Sequence, residues 1–197
     1  MEINEPAIVN STRYYSIEEY LEMEDAATEK HEYYQGQIVE RGIRNLQQNI
    51  ISGNLLGSIG NQLKGKSYRP FGSDLRIHVE KNTLFAYPDL SIIYGELISL
   101  NNDDMNFLNP TVIFEVSAYA TRNVERISKF KLYRDIPTLK AYILVDPASI
   151  SIEDWFINSS GHWELKEYTN IDQILDLSAI QVSVALKDIY EGTKIAS

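Results

Sequence analysis

Two short runs, Tyr87-Pro88-Asp89-Leu90-Ser91-Ile92-Ile93 and Thr111-Val112-Ile113-Phe114-Glu115-Val116-Ser117, constrain this chain more than any other feature. Each is apolar and β-branched, the composition of a strand covered on both faces. Each also holds one acid. An ionised carboxylate is almost never buried without a partner, so Glu115, set among Ile113, Phe114 and Val116, needs one. If the runs are neighbouring strands, Asp89 and Glu115 point at the same spot. Two carboxylates that close raise each other's pKa unless a cation lies between them. A divalent metal is the simplest such cation, and oxygen ligands suit Mg²⁺ or Mn²⁺.

The rest of the chain leaves room for such a centre. At 197 residues it is one ordinary domain with a sizeable core. There are no cysteines, which excludes disulfides and thiolate zinc sites. No apolar run approaches the length needed to span a bilayer. Met1 to Asn10 carries two acids and no basic cluster, so no secretory signal is expected and a cytoplasmic protein follows. The formal net charge of −10 argues against non-specific nucleic-acid binding, which depends on Lys and Arg neutralising phosphates. A locally basic groove remains compatible with it.

Residues 1–13 are expected to be a loosely packed lead-in, with one domain from 14 to 197. Ser16-Ile17-Glu18-Glu19 reads as a capping box opening a helix through about Met23. Thr28 to Arg41 reads as a hairpin or as two short strands around Gln35-Gly36. Arg44 to Lys64 is the longest helical pattern, with Ile51, Leu55, Ile59 and Leu63 at i, i+4 spacing. Gly53, Gly57 and Gly60 form a second stripe on it. Each glycine costs a helix roughly 1 kcal/mol, so the stripe predicts a close backbone approach, to the sheet or to a second copy of the chain.

Strands are expected at Tyr68–Phe71, Ser73–Val79, Thr83–Tyr87, Asp89–Tyr94, around Glu115, and at Ala141–Val145. A helix is expected from about Asn123 to Asp135, ended by Ile136-Pro137. Ser149–Ile157 and Trp163–Tyr168 read as a hairpin, and Val182–Tyr190 as a terminal strand with one helical turn. The sum is a single α/β domain (α+β by some schemes), a mixed central β-sheet flanked by helices.

Taken alone, Asp89 reads as a polar residue opening a strand, whereas a mid-strand acid such as Glu115 reads as a site residue. Lys129 has Glu125 four residues before it, an ordinary exposed ion pair. Asp74, in Gly72-Ser73-Asp74-Leu75-Arg76, fits a turn, and Glu32, beside His31 and Lys30, fits a surface. The three histidines have no metal-binding spacing, and there is no phosphate loop or nucleophile elbow.

In combination these residues resemble the PD-(D/E)xK nuclease superfamily, and more closely its large bacterial family of small restriction-endonuclease-like proteins. The resemblance runs from about Tyr15 to Tyr190. It rests on Glu32-Tyr33 with Gly36-Gln37-Ile38, Gly53-Asn54-Leu55, Ser73-Asp74-Leu75-Arg76, Tyr87-Pro88-Asp89, Glu115-Val116, Arg126 with Lys129-Phe130, Tyr133, and Tyr142 with Leu144-Val145-Asp146.

The resemblance implies a restriction-endonuclease-like core in which Asp89, Glu115 and the backbone carbonyl of Val116 hold Mg²⁺, with Mn²⁺ a possible substitute. The lysine usually found two residues after the second acid is Ser117 here. In variants of this family it has moved to the next helix, which makes Lys129 the catalytic lysine. Glu32 and Asp74 match acids placed around the same centre. A histidine frequent early in the long helix is Gln48 here, and Ala118-Tyr119-Ala120-Thr121 replaces a frequent Ser-Pro-Ser-Thr. The implied activity is metal-dependent DNA endonuclease, working as a homodimer with no membrane partner. The rival readings are a catalytically inactive nuclease-like binding or regulatory module, a structural oligomer on the glycine-striped helix, and hydrolysis of a small phosphodiester.

Overall fold

A computed structural model describes residues 13–117 and 129–196. Of the expectations above, most of the lead-in, Arg126 and the start of the helix from Asn123 lie outside the described residues. Helix α1 (Ile17–Ala26) opens on the predicted capping box: Ser16 Oγ accepts from the Glu19 N–H, and Glu19 reaches back to the Ser16 N–H. β1 (His31–Tyr34) and β2 (Gln37–Glu40) form the predicted hairpin. Gln35 and Gly36 have φ of 47° and 86°, the left-handed pair that lets a two-residue turn match the strand twist. Helix α2 (Leu46–Leu63) is capped by Asn45 and buries Ile51, Leu55, Ile59 and Leu63.

The strands that follow are β3 (Tyr68–Gly72), β4 (Arg76–Val79), β5 (Leu84–Ala86), β6 (Leu90–Tyr94), β7 (Asn106–Phe107) and β8 (Pro110–Val116). Residues 129–133, the described part of helix α3, lead to β9 (Ala141–Val145). Then come β10 (Ile152–Ile157), β11 (Trp163–Tyr168), β12 (Ile174–Leu177), β13 (Val182–Ala185) and the single turn α4 (Leu186–Ile189). β7 and β12 were not anticipated; both are short.

The described strands make a six-stranded sheet in the order β11-β10-β9-β8-β6-β3, a five-stranded sheet β2-β1-β5-β4-β7, and the β12-β13 ribbon. In the six-stranded sheet only β8 and β9 run parallel. A parallel pair needs a crossover connection, and the segment containing α3 supplies it. Alternation along β8 splits the core. Val112, Phe114 and Val116 face α2 and the ribbon. Ile113 faces Tyr142, Phe130 and Tyr133. α1 closes the five-stranded sheet through Tyr20, which stacks on Tyr33 at 5.1 Å between ring centroids.

One expectation is corrected. Among the described residues, a Cβ built at Gly53 or Gly57 would meet nothing within 4 Å, and one at Gly60 only the Pro70 ring. Only Gly60 of the stripe meets the sheet, at the Pro70 ring of β3; Gly53 lies two residues, about 200° of helical turn, from the buried Ile51 and does not press on it. Among the described residues, no helix is long and apolar enough to cross a membrane.

Candidate active site

The two acid-bearing runs are neighbours. β6 and β8 pair antiparallel with Leu90 opposite Phe114 and Ser91 opposite Ile113. Extending that register by one residue sets Asp89, which directly precedes β6, opposite Glu115. The Asp89 N–H donates to the Phe114 carbonyl at 3.0 Å, and the Val116 N–H donates to Asp89 Oδ2 at 2.5 Å. Both acids are buried, on the sheet face that carries Ile93 and Ile113.

Helix α3 brings the third group. Lys129 Nζ donates to Glu115 Oε1 at 3.4 Å and to Glu32 Oε1 at 3.0 Å, tying a strand of each large sheet to one amine. One turn further on, the Tyr133 hydroxyl donates to the same Glu115 oxygen at 3.1 Å. Burial pushes the Glu115 carboxyl up to about 7; Lys129 opposes this, and the Asp89 and Glu32 carboxylates add to it. Burial alone would pull the Lys129 amine down, but Glu115 and Glu32 outweigh it and raise its pKa, which keeps it charged. Burial, then the same two carboxylates, hold Tyr133 well above its ordinary value, so it remains a donor.

Asp89, Glu115, Lys129 and Glu32 therefore form one constellation. Asp74 does not contact these four among the described residues. It is exposed and pairs with Lys30, whose carbonyl accepts the Arg41 N–H at 2.8 Å. Its link to the centre runs through Arg41.

Arg41 and Arg44 are the residues that sequence reasoning missed. Both guanidiniums bind Asp89 Oδ1, at 2.7 and 3.1 Å. Arg44 is also tied to Ser52 Oγ and, at 3.4 Å, to the Gln48 carbonyl. Burial pulls the Arg44 pKa down, and Asp89 counters it. A signal was present: Arg44 immediately precedes the N-cap of α2, where the helix dipole disfavours a cation, so it needs an acid. Gln48, standing where the family often has histidine, donates through Nε2 to the Val116 carbonyl at 3.0 Å.

These oxygens suit a hard cation. Among the described residues no three Asp, Glu, His or Cys side chains gather as a metal cluster, so the set is two carboxylates and one carbonyl. That is enough for Mg²⁺, which keeps several waters and is held by one or two carboxylates. Glu115 Oε2 accepts no hydrogen bond among the described residues. Asp89 Oδ1 and the Val116 carbonyl are met by side chains, which can move, rather than by backbone.

Comparison with known proteins identifies the family and the fold. Residues 17–187 match the model of the Uma2 family, described as "Putative restriction endonuclease". Two proteins of Synechocystis sp. (strain PCC 6803) are similar along most of their length. "Uncharacterized protein slr1290" is 32% identical over 177 residues, 90% of this chain and 92% of that one. "Uncharacterized protein sll1609" is 28% identical over 175 residues, 89% of this chain and 99% of that one. The fold is similar to that of a crystal structure from Anabaena variabilis ATCC 29413, described as "a putative nuclease belonging to DUF820". Its TM-score is 0.71 at 15% identity, covering 89% of this chain and 97% of that one.

Proposed function

The chain belongs to the Uma2 family, of the restriction-endonuclease-like PD-(D/E)xK superfamily, and from that premise we propose that it hydrolyses DNA phosphodiester bonds as a divalent-metal-dependent endonuclease. The observation that carries the proposal is the opposition of Asp89 and Glu115 on adjacent strands, with Lys129 Nζ against Glu115. Asp89, Glu115 and the Val116 carbonyl would hold Mg²⁺ or Mn²⁺, which when bound polarises a phosphate oxygen and lowers the pKa of a coordinated water.

The chain's own residues do the rest. Lys129, kept charged by two carboxylates, directs its N–H groups to the reacting centre and offsets charge that develops on the phosphate. Glu32 fixes the amine from the opposite side, and Tyr133 fixes the Glu115 carboxylate. The β1–β2 hairpin and α2 hold Arg41, Arg44 and Gln48 at the edge of the centre, which supplies local positive charge on a chain of net −10. The working unit of this reading is a cytoplasmic homodimer, in which two centres address two strands.

The test is cleavage of mixed-sequence DNA in Mn²⁺ by wild type and Lys129→Ala, beside calorimetric metal binding. Lys129→Ala should abolish cleavage and leave metal affinity within about threefold, since Lys129 is not a ligand. A fall in metal affinity as large as that of Asp89→Asn would contradict its role. The inactive-module reading also has an observation behind it: Asp89, Glu115 and Glu32 are already balanced by Arg41, Arg44 and Lys129.

A further inference from the structure

Asp89 presents its two oxygens differently. Oδ2 takes the Val116 backbone N–H, an attachment that belongs to the sheet. Oδ1 takes two guanidiniums and nothing else among the described residues. A divalent ion on Asp89 therefore competes with Arg41 and Arg44 for the same oxygen, against like charges a few ångströms away.

The two arginines are not equally free to yield. Arg44 is tied to Ser52 Oγ and the Gln48 carbonyl as well as to Asp89, and its buried Nε has no partner among the described residues. Arg41 and Arg44 are equally exposed, at 15% and 17% of their side chains, but among the described residues Arg41 has Asp89 alone as its side-chain hydrogen-bond partner, with its backbone N–H on the Lys30 carbonyl. Its remaining N–H groups meet no acceptor among the described residues and form a planar fork, the shape that takes oxygens of a phosphate.

We propose that Arg41 is a positioning residue that exchanges partners. Without metal it neutralises Asp89; with metal it leaves Asp89 and grips a non-bridging oxygen of the phosphodiester. The charges favour the exchange. The three acids and three bases are balanced as they stand, so a divalent ion leaves an excess of positive charge that a phosphodiester reduces. Metal and substrate then bind cooperatively, and by reciprocity each tightens the other by the same factor. The proposal rests on the metal-dependent reading above.

The test is calorimetric titration of Mn²⁺ into wild type, Arg41→Ala, Arg41→Gln and Asp89→Asn, each with and without the dinucleotide thymidylyl-(3′→5′)-thymidine. Thermal melting first establishes which variants are folded, and Arg41→Gln serves if Arg41→Ala is not. The folded Arg41 variant should bind Mn²⁺ about tenfold more tightly than wild type in the absence of dinucleotide, the competitor having gone. It should also lose the several-fold tightening that the dinucleotide gives wild type. Equal or weaker Mn²⁺ binding by that variant, with Asp89→Asn abolishing binding, would overturn the exchange and leave the metal site standing. Mn²⁺ binding that Asp89→Asn leaves intact, or no binding by any variant, would overturn both.

Discussion

Glu115 on β8 and Asp154 on β10 are buried carboxyls on opposite faces of one sheet, and burial pushes both up to about 7. Their surroundings differ. Glu115 meets a lysine and a tyrosine, faces a second acid across the strand pair, and has two arginines beyond that acid. Asp154 leaves Oδ1 buried with no hydrogen bond among the described residues. It borders a cavity of about 170 Å³ with Asp176 and Lys140, and Lys166, its cross-strand neighbour, lowers its pKa only in part. A raised pKa is thus common to a hydrogen-bonded constellation and to a buried acid whose charged neighbours do not bond to it. What separates them is direct bonding: hydrogen bonds from several elements join the groups around Glu115 and Asp89, whereas the charged neighbours of Asp154 make none to it among the described residues.

The comparison can be broken by substitution. Asp89→Asn or Glu115→Gln should lower metal-dependent cleavage by about 10³-fold or more, whereas Asp154→Asn should leave the rate within about twofold. Equal losses at the two faces, in a DNA cleavage assay, would erase the distinction.

A smaller effect sharpens it through stability. The folded protein holds a proton on Asp154 that the unfolded chain gives up near its ordinary value of about 3.9. The stability linked to that proton is fully present below about pH 4 and is lost as pH rises through about 7. Asp154→Asn should raise stability at pH 8 by on the order of 1–3 kcal/mol, change little at pH 4, and flatten the pH dependence in urea unfolding. A slope that survives unchanged would mean that Asp154 is ionised and solvated in the fold.

Smaller again is Gln48→Ala, which removes the reciprocal arm of the α2 capping box and the bond to the Val116 carbonyl. A loss of about 1–2 kcal/mol in thermal or urea unfolding is expected. The smallest expected effect lies on the open side of α2. Gly53→Ala should stabilise by about 0.5–1 kcal/mol, since the added methyl meets nothing and helix propensity improves. Destabilisation with a change of oligomeric state would instead make that side an interface between copies.

How much was legible follows from the range of each signal. The Ser16 capping box, the i, i+4 apolar row of α2 and the Gln35-Gly36 turn are local patterns, and each marks its element to within a few residues. Asp89 and Glu115 stood out because an acid inside an apolar strand run contradicts its neighbours. Lys129 and Glu32 did not; their meaning depends on α3 crossing to both sheets, and only the family resemblance pointed to Lys129. Arg41 and Arg44 find their acid more than forty positions away, a pairing that no local pattern encodes. The glycine stripe was visible, but periodicity shows that residues share a side of a helix and leaves open what that side meets.

The central claim is that Asp89 and Glu115 together hold a divalent cation. The most direct test is calorimetric titration of Mn²⁺ into wild type, Asp89→Asn, Glu115→Gln and, as the buried acid of the other face, Asp154→Asn, all shown to be folded. The account predicts binding by wild type and Asp154→Asn and none by either site variant. No binding by wild type at millimolar metal, or binding that survives both site substitutions, would contradict it.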